Sequence, residues 1–511
     1  MKKKWVRSRV LSQLLFLLLF SYLISHPLRA ARLFFAVDPL IALTVSLAGR
    51  VFIKTIIISL VFVVLTALAG RFFCGWICPM GTFIDAFGYI RRKVSRKRVK
   101  DISPRRLSCI KYVIFIIVII LAVFGIQLLW MIDPMSVSGR FISTNLLPAA
   151  GKAVENSFRF VIQRLGFPDI FMNMYRWLLG IAGGTLQRSF NNGGVSLAIF
   201  SSVILTGILG KRFWCRNLCP LGALYALLAR FSFLERKLDD SCNACQVCVL
   251  DCRMGALEKE NVIRKEECIL CMDCIDNCTT SSARFLFKKK LLAPKSINSS
   301  RRDFLKYAGI TSIAVFTGWR NRQRWGGGRG IGRGMEGVEP GIIRPPGVID
   351  EPAFQKRCIR CGNCMNVCPT NGLQPVLLKA GPAGVWTPEL VPEIGACEYN
   401  CAACGVVCPT GAIPELGLEI KRLTRLGRAR VNRSICLPWK GETSCIVCEE
   451  QCPVEEKAIK LIEEDVNGTV FQKPVVDKGL CIGCGKCQNA CPARPERAIK
   501  VYPLQHRNRS A

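Results

Sequence analysis

The chain has almost no histidine, with only His26 and His506 among 511 residues. Bis-histidine haem and multi-histidine copper or zinc centres need more imidazole than that. No Cys-x-x-Cys-His string occurs, which excludes covalent c-type haem. No Gly-x-Gly-x-x-Gly run follows a plausible strand, so hydride chemistry on a dinucleotide has no support. Acidic residues are also scarce, 36 against 71 basic ones, giving a formal net charge of +35. Charged residues make up only 21% while half the chain is hydrophobic, and mean hydropathy is +0.29. This balance excludes a disordered, collagen-like or coiled-coil chain. The length is that of several domains.

What the chain has instead is cysteine, 29 in all. Six groups of four make 24, two Cys-x-x-x-Cys-Pro strings hold four more, and Cys109 is left over as an expected small packed residue. Disulfide frameworks suit small secreted domains, not a chain this long with clustered Cys-x-x-Cys runs. Such runs read as iron–sulfur ligation. A four-iron cluster with four thiolates carries about −2, so six would bring the net charge down to roughly +23. The basic residues are spread over loops and linkers, so no nucleic-acid partner is expected.

Residues 1–235 read as a membrane domain. Apolar runs at 10–25, 51–70, 109–131 and 195–210 give four spans, with Ile110–Trp130 the clearest at spanning length. Four buried helices of a soluble core would produce the same runs. A weaker run, 33–48, contains Asp38-Pro39 and reads as re-entrant or interfacial. Lys and Arg set the orientation. The N-terminus and the stretch 71–108, with ten basic residues, should be cytoplasmic; the loop 132–193, with six over a longer span, should face outward.

This domain contains a repeat. RFFCGWICPMGT (71–82) matches KRFWCRNLCPLGA (211–223), and each copy has an Asp-Pro step further back, Asp38-Pro39 and Asp133-Pro134. Parallel repeats pack about an axis along the membrane normal. That predicts Cys74 and Cys78 beside Cys215 and Cys219 at the inner face, and Asp38 beside Asp133 near the outer face. The four cysteines are either a seventh metal site or a structural or dithiol feature of helix ends. Two carboxylates sharing an apolar site cannot both stay ionised, so the pair could accept a proton. Asp38, Asp133 and His26, all placed outward by the topology, are the candidate catalytic residues, as proton acceptors. Asp-Pro is equally an ordinary helix start, with Asp as cap and proline first.

Residues 236–290 read as a two-cluster ferredoxin-like domain. Cys242, Cys245, Cys248 and Cys252 precede Cys268, Cys271, Cys274 and Cys278. In this spacing the fourth cysteine of each run ligates the other cluster. Residues 291–347 hold a twin-arginine-like segment (Ser300–Lys306), a short apolar stretch at 307–319 read as a fifth span, and a Gly/Arg linker. Residues 348–505 read as a four-cluster domain. Its groups are Cys358, Cys361, Cys364, Cys368; Cys397, Cys401, Cys404, Cys408; Cys436, Cys445, Cys448, Cys452; and Cys481, Cys484, Cys487, Cys491. All four end in Cys-Pro, and the second and third open more loosely. Residues 506–511 are a tail. The expected fold class is thus multi-domain, an α-helical membrane domain plus two α+β bacterial-ferredoxin-like domains.

The 1–285 half resembles the NapH-type membrane ferredoxin subunit of periplasmic nitrate reductase systems, and its Cys-x-x-x-Cys-Pro layout also occurs in the nitrous-oxide reductase regulator family. Residues 340–505 resemble the soluble MauM/NapG ferredoxin-type family through Arg344-Pro345-Pro346-Gly347, Phe354, Arg357-Cys358-Ile359-Arg360-Cys361-Gly362 and the Cys-Pro-ended groups. The chain looks like a fusion of the two. The cysteine groups give six [4Fe–4S] clusters, with a seventh as a candidate at the repeat, and the resemblance implies quinone as substrate. It implies pairing of the first cysteine group with the fourth and the second with the third, so that Cys368 joins Cys481, Cys484 and Cys487. It further implies a multi-pass protein of a bacterial-type inner membrane that contacts lipid and the quinone pool. Residues 236–290 would be cytoplasmic, and 348–505 would be periplasmic and would meet a periplasmic redox partner. The expected role is electron transfer from quinol to a periplasmic respiratory acceptor, as a quinol dehydrogenase component. The alternative is an assembly or regulatory factor that donates electrons to a metalloenzyme without oxidising quinol itself.

Overall fold

The computed structural model describes residues 4–27, 29–53, 56–95, 105–165, 173–174, 188–258, 262–287, 341–348, 350–466 and 469–504. The twin-arginine-like segment, the stretch 307–319 and most of the Gly/Arg linker lie outside them. The chain forms two compact units. One comprises Met1–Phe20, Leu33–Ser138 and Leu197–Gly337; the other comprises Ser21–Arg32, Gly139–Ser196 and Val338–Ala511.

In the first unit, helices Pro39–Gly49, Ile56–Ala69, Ile110–Val123 and Pro220–Ala229 pack on one another. Each Asp-Pro step starts a helix, Pro39–Gly49 and Pro134–Phe141, with the Asp side chain capping it. At Asp38-Pro39 the chain bends by 92° between Ala30–Ala36 and Pro39–Gly49, as a proline that cannot continue the preceding helix requires.

Among the described residues one helix, Lys4–Ser25, is long and apolar enough to cross a membrane, and 28% of its apolar window is buried. The expectation for Ile110–Trp130 needs correction. Its helix stops at Val123, because Gly125 adopts a φ of +75°. The Gly125 and Ile126 amides turn back onto Ala122 O and Leu121 O, both at 2.8 Å, which is the Schellman closure of a helix. Cys109 also departs from expectation: it precedes this helix and is exposed.

The cysteine-rich end of this unit is closed by an antiparallel pair, Leu234–Leu238 with Ala283–Phe287, in register Leu234↔Phe287 and Leu238↔Ala283. The pair brings the two ends of segment 239–282 together and holds its eight cysteines in one small body.

Among the described residues of the second unit, three antiparallel pairs frame its cysteine-rich part: Leu373–Pro375 with Pro388–Leu390, Gly427–Val431 with Ile499–Pro503, and the hairpin Ile459–Val466 with Thr469–Val476. One small core gathers Phe354, Cys358, Ala412 and Ile413, and another Ala31, Val367 and Val407. Segment Ser21–Arg32 is held there by ion pairs from Arg29 and Arg32 to Glu415, 2.7 and 2.8 Å, and by Asn366 Nδ2 donating to Ile24 O at 2.9 Å.

Candidate iron–sulfur centres and a buried carboxylate pair

The six cysteine groups share one local structure. In each, the third cysteine is the second residue of a short helix: Val247–Asp251, Asp273–Asp276, Asn363–Asn366, Ala403–Val406, Val447–Glu450 and Lys486–Ala490. Each fourth cysteine follows the end of its helix. In the four tight Cys-x-x-Cys-x-x-Cys groups, the residue after the second cysteine has a left-handed backbone: Gln246, Met272, Gly362 and Gly485. Wrapping three thiols round one point demands this reversal, and glycine removes its steric cost at two of the four sites. The two loosely opened groups do without it, since Ala402 and Ile446 have φ of −126° and −116°.

The helices then throw each fourth cysteine onto a neighbouring group. In the first unit, Cys278 completes a nest with Cys242, Cys245 and Cys248, and Cys252 one with Cys268, Cys271 and Cys274. In the second unit, Cys408 completes Cys358, Cys361 and Cys364, while Cys368 lines one cavity with Cys397, Cys401 and Cys404. Cys491 joins Cys436, Cys445 and Cys448. Cys452 lies within electrostatic range of Cys484, beside Cys481 and Cys487. This corrects the expected first-with-fourth pairing: groups adjacent in sequence pair instead. The physical reason is tertiary packing: helix Asn363–Asn366 packs on Ala403–Val406 and helix Val447–Glu450 on Lys486–Ala490, so each short helix delivers its last cysteine to the group it touches.

These nests fit the clusters that the spacing implies. A single zinc ion needs its sulfurs at about 2.3 Å from one point. Among the described residues no group of three or more His, Cys, Asp or Glu converges in that way. A cubane is gripped at its corners and takes a wider thiol set. Backbone amides aim at the sulfurs, from Ala256 to Cys252 at 3.2 Å, from Ile413 to Cys408 at 3.4 Å and from Ala429 to Cys481 at 3.4 Å. Such donors stabilise an anionic cluster and tune its potential. Burial pushes the Cys358 and Cys397 thiols up to about 11, so loading iron must displace protons from them.

The four nests of the second unit are linked, each to the next, by shared contacts. The first two are joined by the crossed Cys368 and Cys408. The Cys397 amide donates to Cys484 O at 2.8 Å, linking the second nest to that of Cys481, Cys484 and Cys487. Cys487 in turn feels Cys448 of the last nest. Pro345 and Pro346 line the second nest and Phe354 the first. Arg344 anchors that segment by donating to Thr387 Oγ1 at 3.0 Å and Pro388 O at 2.7 Å.

Asp38 and Asp133 are fully buried and lie within hydrogen-bonding reach of each other. One oxygen of each caps its helix: Asp38 Oδ1 accepts from Leu40 N at 2.8 Å, and Asp133 Oδ2 from Ser136 N at 2.7 Å. The other oxygens take no donor from the chain. The candidate His26 belongs to the second unit, where its ring contacts Tyr22 and its Nδ1 faces Ser25 Oγ at 2.9 Å. Sequence reasoning missed Tyr225, which is fully buried and within electrostatic range of Asp38, Asp133, Cys74 and Cys78.

It also missed the buried ion pairs beside the repeat. Glu267 accepts Lys111 Nζ at 2.6 Å and Arg71 Nη1 at 3.3 Å, all three nearly inaccessible. Replacing Glu267 with Gln leaves two buried cations facing a neutral partner. Breaking a buried pair costs about 3–5 kcal/mol, so E267Q should clearly lower the thermal unfolding midpoint of the purified full chain; an unchanged midpoint would contradict this role. Burial alone would raise the Asp85 carboxyl, but the Arg212 guanidinium, bonded at 2.7 and 2.9 Å, holds it well below the usual range.

Comparisons agree with the chemistry of the nests. Families of 4Fe-4S binding domains match residues 53–97 with 192–239 and residues 473–499, and a 4Fe-4S dicluster domain matches 357–412. The methylamine utilization ferredoxin-type protein MauM of Methylophilus methylotrophus is 37% identical over 166 residues, 32% of this chain and 72% of that protein. The ferredoxin-type protein NapG of Haemophilus influenzae is 33% identical over 235 residues, 43% of this chain and 77% of that protein. NapG of Escherichia coli is 37% identical over 169 residues, 32% and 71% respectively. No solved structure matches the chain.

Proposed function

Since the chain belongs to the MauM/NapG ferredoxin-type family of iron–sulfur electron-transfer proteins, we propose that it takes electrons from membrane quinol and delivers them to a redox partner on the outer face of a bacterial cytoplasmic membrane. The observation that carries this reading is the set of four-cysteine nests in the second unit, each linked to the next. When bound, the clusters supply one-electron carriers that change oxidation state with little ligand rearrangement. The chain's own part is to hold the thiols, aim amides at them and exclude water.

The first unit is the membrane half of a NapH-like fusion in this reading. Its helices expose Leu11, Leu15, Leu18, Ile57, Leu60, Val61 and Val64, an apolar surface that water disfavours and lipid accepts. The Asp38–Asp133 pair receives a proton as quinol is oxidised, because two carboxylates in a dry site hold at most one charge between them comfortably. Most of the loop 132–193, expected to face outward, belongs to the same unit as the four-cluster domain. This supports export of that domain. In spheroplasts an external protease should cleave within 348–505; protection of that region would overturn its outward placement. Purified full chain should also turn over reduced quinol with an artificial one-electron acceptor. Full iron content without turnover would favour the assembly or regulatory donor.

A further inference from the structure

The two Cys-x-x-x-Cys-Pro strings lie outside the six nests. Each family match to this region, 53–97 and 192–239, contains only two cysteines, so neither piece alone offers a cluster four thiols. The structure joins them. Cys78 is within electrostatic range of Cys74 and Cys215, and Cys219 of Cys74, Cys78 and Cys215. Cys78 and Cys219 are buried. Cys74 and Cys215 pack on Met254, Ala256 and Ile269, the same side chains that back Cys252, Cys268 and Cys271.

The two halves are built alike. Cys74 and Cys215 sit in the short helices Phe72–Trp76 and Phe213–Asn217. Cys78 and Cys219 immediately precede Pro79–Ser95 and Pro220–Ala229, and Cys219 Sγ accepts from Gly222 N at 3.3 Å. The equivalent arginines exchange places. Arg71 of the first repeat reaches Gly222 of the second, and Arg212 of the second reaches Gly81 of the first and donates to Cys74 O at 2.8 Å. At both glycines a side chain would collide with the visiting guanidinium or press tightly on it. Arg71 is fully buried, and its Nε and Nη2 have no hydrogen-bond partner.

Charge points the same way. Arg71 and Lys111 share Glu267, which leaves one positive charge. Arg212, Arg253 and Arg9 share Asp85 and Asp273, which leaves another. This surplus faces two sets of thiols: Arg71 is within electrostatic range of Cys74, Cys219 and Cys268, and Arg212 of Cys215 and Cys271, so it serves the neighbouring nest as well as these four cysteines. Four thiolates on an iron–sulfur core carry about −2.

We propose that Cys74, Cys78, Cys215 and Cys219 together hold one iron–sulfur cluster, divided between the two repeats, with Arg71 and Arg212 each placing its charge across the repeat boundary. The inference rests on the iron–sulfur reading of the other six nests and not on the quinol reading.

Iron and acid-labile sulfide are counted on the full chain after anaerobic reconstitution to constant loading. Six cubanes account for about 24 iron atoms. The expected count is about 28 for a four-iron core here, or about 26 for a two-iron core, falling to about 24 in the C78S/C219S variant with the remaining EPR signals intact. A wild-type count of about 24, or a higher count that the double variant leaves unchanged, overturns the seventh site and spares the electron-transfer reading. Negligible iron overturns both. The wild-type count decides even where the variant fails to accumulate, and C109S, at an exposed position, should leave it unchanged.

Discussion

Asp133→Asn is expected to lower quinol oxidation by about 100-fold or more, the usual contribution of a positioned proton acceptor, while iron content stays the same. Asp38→Asn should do likewise. Asparagine keeps a side-chain oxygen that can cap the helix at Pro39 or Pro134. It cannot take up a proton between the two side chains. The substitution therefore separates the two roles that the buried pair combines, since each Asp spends one oxygen on its cap and turns the other away from any donor of the chain. If both variants oxidise quinol at the wild-type rate, the pair is a capping device and the proton leaves elsewhere.

The second large effect concerns cluster pairing. Cys368→Ser and Cys397→Ser should each remove one cluster, and the same one, because both thiols line a single cavity. The double variant should then lose about four irons, not about eight. Effects at groups that act as one unit do not add. Loss of two distinct EPR signals in the double variant would restore the first-with-fourth arrangement.

How legible this was depends on the range of each interaction. The crossed nests of Cys242–Cys278 follow from local spacing alone, and the structure has them. Pairing among the four groups of the second unit does not follow from spacing, and resemblance suggested the wrong partner for Cys368. The juxtaposition of Asp38 with Asp133, and of the two cysteine pairs, was readable from the repeat. The arginines that flank those cysteines stand at matching positions, Arg71 and Arg212, three residues before Cys74 and Cys215. That signal was available, but their crossing depends on packing. Tyr225 had none, because the position six residues after Cys78 is Ile84. Gly125 was visible inside the run Ile110–Trp130, yet hydropathy does not register a residue that ends a helix through its backbone.

The central claim is that membrane quinol reduces the clusters of this chain. Its most direct test is EPR of the full, iron-loaded chain, frozen after anaerobic mixing with reduced quinol and compared with a dithionite-reduced sample. The account predicts reduced-cluster signals with quinol alone, much weaker in the Asp133→Asn variant. Signals that appear with dithionite and never with quinol would contradict it.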